Sequence, residues 1–265
     1  MTLFKRPPSP QVSPPANAAT LRAHLASVSH YRASVQAASL GVALDAVRNI
    51  QIARFRSFYN DLLTDHRHTQ ATHFFLAELY GNQDYSQRDA QFGRIAGAVE
   101  RLFPENVMVL AVELAEVHAL TEELDWLMAS AWQDLEVPTD ADASTLAHAY
   151  TRCWRAVGRQ PDRDRQLAAV LQMGWRLAGI VKVPGLRMAL RLMRGPAKSA
   201  GLSALQSVLE NGFDAFQSMG QADTFLNAIA SREAKWLTTL FQTPNTAQTQ
   251  LTRALTRDVL SGTAS

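Results

Sequence analysis

The sequence predicts an all-α protein, a multi-helix array of orthogonal or bundle-like packing. Three observations lead there. Apolar residues recur at helical spacing through most of the chain, and Pro, Gly and capping residues punctuate those stripes at short intervals. No β-branched run alternates strictly between hairpin signals, and no internal repeat is evident. With 265 residues, 47% of them hydrophobic, the chain can bury a substantial core as one domain or as two packed halves.

Residues 1–18 carry Pro7, Pro8, Pro10, Pro14 and Pro15 among Ser, Gln and Asn, and read as a disordered lead. A first helix is expected over about 20–39, with Thr20 as its cap and Leu21, Leu25, Val28, Tyr31 and Val35 on its stripe. A second over 44–63 gathers Leu44, Val47, Phe55, Phe58 and Leu62, since residues advance by about 100°. Asp65-His66-Arg67-His68 interrupts it. A short aromatic-rich helix over 71–80 follows, bounded by Gly81-Asn82, then a turn and another helix stopping near Phe103-Pro104.

The strongest long stripe spans 106–132 and contains Leu110, Leu114, Val117, Leu120, Leu124 and Met128. After Val137-Pro138-Thr139, Asp142 or Ser144 starts a helix carrying Leu146, Tyr150 and Val157, which Gly158 and Pro161 close. A further helix over 163–181 ends at Val183-Pro184-Gly185, and a short basic segment over 186–193 ends near Gly195-Pro196. Two last stripes follow: Leu202 through Phe216, turning at Gly220, and Phe225, Ile229, Trp236 and Leu240 from Asp223 onward. The helical domain is thus read as 19–243, and 244–265 as a flexible or marginally helical tail.

Phe74-Phe75-Leu76-Ala77-Glu78-Leu79-Tyr80-Gly81, Arg88-Asp89-Ala90-Gln91-Phe92 and His118-Ala119-Leu120-Thr121-Glu122-Glu123-Leu124-Asp125 together resemble a family of uncharacterised helical bacterial proteins. The resemblance extends from Leu205-Gln206 to Arg232-Glu233, and so covers most of the chain beyond the lead. It implies a helical fold and carries no activity to transfer.

Composition excludes several classes. A net charge of +2 supplies no global field for a polyanion, so no strong nucleic-acid signature is present. A single cysteine, Cys153, makes no intrachain disulfide and favours a reducing, cytoplasmic setting. The N-terminus lacks the apolar core of a secretory signal, and no window is apolar enough for a transmembrane span. No Rossmann glycine fingerprint, Walker loop or nucleophile elbow occurs, so neither a cofactor nor a catalytic residue is assigned.

Candidate sites come instead from polar residues that interrupt apolar stripes. Glu113 falls between Leu110 and Val117, with Glu116 at the edge and Glu122 pointing away; Glu233 lies between Ile229 and Trp236. A buried carboxylate needs a cation, a hydrogen bond or a proton, so each marks either an internal ion pair or a ligand site. Arg88, Asp89 and Arg94, near Glu78 and Asp84, read first as ordinary helix-surface pairs, and the alternative is a polar pocket lined by Tyr59, Tyr80 and Tyr85. His66, His68 and His73 are the densest histidines, yet no Glu-x-x-His pair or HExxH motif accompanies them, so no metal ligand is assigned.

Lys182, Arg187, Arg191, Arg194 and Lys198 form the clearest charge bias, with no acid between them. They are read either as a solvated face or as a surface for an anionic lipid, phosphate ligand or acidic protein. The functional expectation is a helical interaction or regulatory module, with a protein or small-molecule partner unspecified and homo-oligomerisation open. Its alternatives are a binding protein for an apolar or acidic small molecule, and a carboxylate/histidine metal-dependent enzyme.

Overall fold

The computed structural model describes residues 16–80, 105–199 and 203–262. Among them every regular element is a helix, as the periodicity predicts. The proline-rich stretch through residue 15 and the helix expected before Pro104 lie outside the described residues, as do Tyr85, Arg88, Asp89 and Arg94.

Helix α1, Ala18–Ala37, is capped by Asn17, whose side chain accepts from the Thr20 amide at 2.9 Å. Thr20 therefore sits in the first turn and is not the cap. The helix expected over 44–63 is two, α2 Gly41–Phe58 and α3 Asn60–Thr64, broken at the fully buried Tyr59. The break has a tertiary cause, because Arg232 donates to the Phe58 carbonyl at 2.9 Å, 174 residues away in sequence. Helix α4, Thr69–Tyr80, carries Phe74 and Phe75.

Helix α5, Glu105–Gln133, runs through the middle of the molecule. Asp142 caps α6, Ala143–Val157, accepting from the Thr145 amide at 2.8 Å. The chain then reverses through Gly158 (φ 62°) and Arg159 (φ 58°). Pro161 does not close α6; it lies in the first turn of α7, Gln160–Ile180, where its missing amide costs no helical bond. Similarly, Gly195-Pro196 does not end the basic segment. After α8, Leu186–Leu192, both residues enter the first turn of α9, Arg194–Ser199.

Helices α10, Ser203–Met219, and α11, Ala222–Gln242, meet at Gly220, whose φ of 72° suits a residue without Cβ. The segment after Pro244 is not a loose tail but helix α12, Pro244–Gly262. Its Ala247, Leu251, Ala254 and Leu255 are buried, and it packs against α2 and α6. Thr and Gln made this helix look marginal alone; packing of its narrow apolar stripe supplies what propensity does not.

Two large apolar clusters and a smaller one result. The first joins α2, α6, α12 and the C-terminal parts of α5 and α11 around Val47, Met128, Trp132, Trp154, Trp236 and Leu251. The second joins α4, α7, α10, the end of α2 and the first parts of α5 and α11 around Phe55, Phe75, Val117, Phe216 and Phe225. The third sets Leu21 and Leu25 of α1 against Met108 and Val112 of α5. Helices α2, α5 and α11 run through both large clusters, so whatever lies between the clusters is framed by these three.

Candidate functional site

Between the two large clusters the interior turns polar. A cavity of about 90 Å³ opens there, walled by Trp154 and Trp236 from one cluster and Phe55 and Val170 from the other. Into its wall the fold also brings Gln51, Arg54, Asp125, Tyr150, Arg163 and Glu233. One water needs roughly 10–15 Å³ on the same measure, so the cavity has room for several waters or a molecule of a few heavy atoms.

Glu233 is the anchor of one wall. One of its oxygens, Oε1, accepts from Arg54 Nη1 and from the Tyr59 hydroxyl, both at 2.7 Å. The Arg54 guanidinium lies 5.4 Å from the Phe58 ring centroid and 5.6 Å from that of Trp236, so its charge is met by a carboxylate and by two ring faces. Charge-assisted bonds of this kind offset the desolvation of a buried ion. Of the sequence candidates, Tyr59 and Glu233 are thus brought together.

A second network reaches the cavity through Asp125 and Gln51. Arg48 of α2 donates from Nε to Asp125 Oδ2 and from Nη2 to Glu122 Oε2, each at 3.0 Å. Arg32 of α1 reaches Glu122 Oε1 at 3.0 Å and also donates to His118 Nε2 at 2.9 Å. Arginine has only donors, so His118 accepts through Nε2 and carries its proton on Nδ1. Gln51 donates to Asp125 Oδ1 at 3.3 Å. Glu122, expected to point away, is buried at 4% exposure, because α1 and α2 both present arginines to that side of α5.

Two further residues of the wall, Arg163 and Trp154, are in contact. The Arg163 guanidinium stacks 4.1 Å above the Trp154 ring. The Trp154 indole Nε1 is buried and finds no acceptor. Tyr150 is fully enclosed, and burial pushes its phenol up to about 12, against the opposing pull of Arg163 and Arg54. It therefore stays a neutral hydrogen-bonding group. Cys153, beside Trp154, is buried too, and burial pushes its thiol up to about 11, which removes thiolate reactivity at neutral pH.

The remaining candidates lie elsewhere. Glu113 does not line the cavity; Oε1 accepts from Arg176 Nε at 2.7 Å and Gln172 Nε2 at 2.9 Å, while the buried Oε2 has no hydrogen-bond partner. Burial pushes the Glu113 carboxyl above the usual range, against the attraction of Arg176. Glu113 and Glu233 thus do not share this cavity. The Tyr80 side chain lies outside the described residues.

His68 meets Asp65 at 2.6 Å and stacks on Phe225 at 5.9 Å, while His66 and His73 are exposed. Among the described residues no three His, Cys, Asp or Glu side chains converge as metal ligands. In the basic segment Arg187 bonds Asp214 and Gln217, and Arg194 forks onto Glu210, all on α10. Lys182, Arg191 and Lys198 are exposed and make no ion pair among the described residues. No described helix is long and apolar enough to cross a membrane.

Sequence reasoning missed Arg54, Arg163, Asp125, Tyr150 and Gln166. A signal existed for Arg54 and Asp125, since each falls on the buried side of its helix beside Phe55 or Leu124. The family model described as Domain of unknown function (DUF8198) matches residues 30–247, which include every described residue of the cavity wall. No curated protein matches the chain, and no solved structure does.

Proposed function

We propose that this chain, which belongs to the DUF8198 family, is a helical regulatory module that takes up a small acidic molecule in the cavity between its two cores. The observation that carries the reading is the pairing, in one wall, of a buried indole donor lacking an acceptor with an arginine stacked on the same ring. Both groups donate and neither accepts, so together they suit an oxyanion such as a carboxylate. Arg54 lines the same cavity, and Gln51, Gln166 and Tyr150 bring neutral hydrogen-bonding groups to its wall.

Size narrows the ligand. Drug-sized ligands occupy pockets of about 300–1,000 Å³, so this cavity suits a short-chain acid instead. The aromatic walls then cover its carbon part. The family match supplies no activity, and the reading rests on the cavity alone.

The experiment is a thermal-shift screen of short mono- and dicarboxylic acids, followed by calorimetry. A ligand at a hundred times its Kd stabilises by about 2.7 kcal/mol, which moves the midpoint visibly. The expected result is a shift with at least one acid that disappears in Arg163→Gln, whose circular dichroism remains helical. Absence of any shift across the panel, together with a crystal structure holding ordered water alone in the cavity, would falsify the reading.

A further inference from the structure

The turn after α7, with α8 and α9, forms an elbow at the edge of the molecule, far in character from the cavity. Four large hydrophobic residues are strongly exposed among the described ones, and three belong to this elbow: Val183 at 49%, Met188 at 69% and Leu192 at 72%. Met188 and Leu192 are one helical turn apart and share a face of α8. The opposite side holds the helix to the body, through buried Leu190 and through Met193, which packs on the cluster around Leu21 and Met108. The outward pair is therefore unneeded for folding.

Around that pair stand Lys182, Arg187, Arg191, Arg194 and Lys198, with no acidic residue from 181 to 199. Arg187 and Arg194 are tied to Asp214, Gln217 and Glu210, which fixes their positions while leaving the arginines exposed. Lys182, Arg191 and Lys198 remain without an ion pair among the described residues. We infer that this elbow is a peripheral docking surface for an anionic lipid bilayer, with Met188 and Leu192 entering the interface and Lys182, Arg191 and Lys198 lying against the headgroups. The apolar pair decides between partners: a nucleic acid would take the cations and leave Met188 and Leu192 in water, whereas a bilayer accommodates both. The inference is independent of the cavity and its ligand.

The test is cosedimentation of the full chain with vesicles of phosphatidylcholine, alone or mixed with phosphatidylglycerol, at low and physiological salt. Binding is expected only with phosphatidylglycerol, and it should weaken as salt rises. Each cation near an anionic surface multiplies partitioning about fivefold, so Lys182→Gln/Arg191→Gln/Lys198→Gln should lose about a hundredfold and most of the salt dependence. Met188→Ser/Leu192→Ser should lose about a hundredfold or more with the salt dependence intact. Both variants alter exposed side chains, and unchanged helical content and thermal midpoint would verify their folding. Equal binding to neutral vesicles overturns the inference, as does full binding by the serine variant. Tighter binding to single-stranded DNA than to the anionic vesicles, insensitive to the serine changes, would assign the elbow to polyanions instead.

Discussion

The centre of the molecule and its α8–α10 edge are both held by arginine and carboxylate, and they differ in almost everything that chemistry does for them. At the centre the side chains of Arg54 and Glu233 are 5% and 11% exposed, with Tyr59 on the same carboxylate oxygen. At the edge Arg194 is 60% exposed, although it forks onto both oxygens of Glu210. A buried pair is expensive to break because the survivor stays buried; an exposed one is replaced by water and salt. The number of bonds in a pair is therefore a poor guide to its importance here, and the surroundings decide it.

The contrast predicts a ranked set of losses. Glu233→Ala removes the carboxylate that pairs with the buried Arg54 and should cost about 3–5 kcal/mol in urea denaturation; a loss below about 1 kcal/mol would make the centre as wet as the edge. Leu251→Ala should cost about 2–4 kcal/mol, since that side chain is fully buried, whereas an unpacked tail would register nothing. Gly174→Ala sets a Cβ 2.6 Å from Leu226 Cδ2 inside the second cluster, and displacing that buried side chain, offset by a gain of about 1 kcal/mol in helix propensity, should leave a net cost below about 2 kcal/mol in the same assay.

The edge should respond least. Arg194→Ala is expected to leave the thermal midpoint unmoved at physiological salt, and a clear drop would end the contrast. A pH series sharpens it further. Asp61, held below the usual carboxylate range by its hydrogen bonds to Arg232, lends stability that is present above about pH 4 and lost as pH falls through its lowered folded value. Glu113 runs the other way: its raised folded value means stability present below about pH 4 and lost as pH rises. Glu113→Gln should therefore gain on the parent between about pH 4 and neutrality, and a pH-independent difference would show that burial of Glu113 is not felt.

Helix identity was legible where one stripe dominates, as in α5, α6 and α10, and where a cap is local, as with Asp142. The misreadings share a cause. Tyr59 breaks α2 because partners 174 residues away make the break favourable, and α12 forms because α2 and α6 cover it. Neither is visible in a local window. Glu233 was legible as a polar residue inside an apolar stripe, and Tyr59 as an aromatic candidate. Their convergence was not, nor was the approach of Arg163 to Trp154, because helical projections give the face of a residue but not which helix meets it.

The bonds from Tyr59 and Arg54 to Glu233 also carry a timing. Both span more than 170 residues, and α12 joins the first apolar cluster from still later in the chain. During synthesis, α2 emerges with an arginine and a phenol destined for the interior long before their carboxylate leaves the ribosome. A nascent chain stalled ahead of residue 233 thus has no means of closing its centre, and its first half awaits the last quarter before a finished interior can exist.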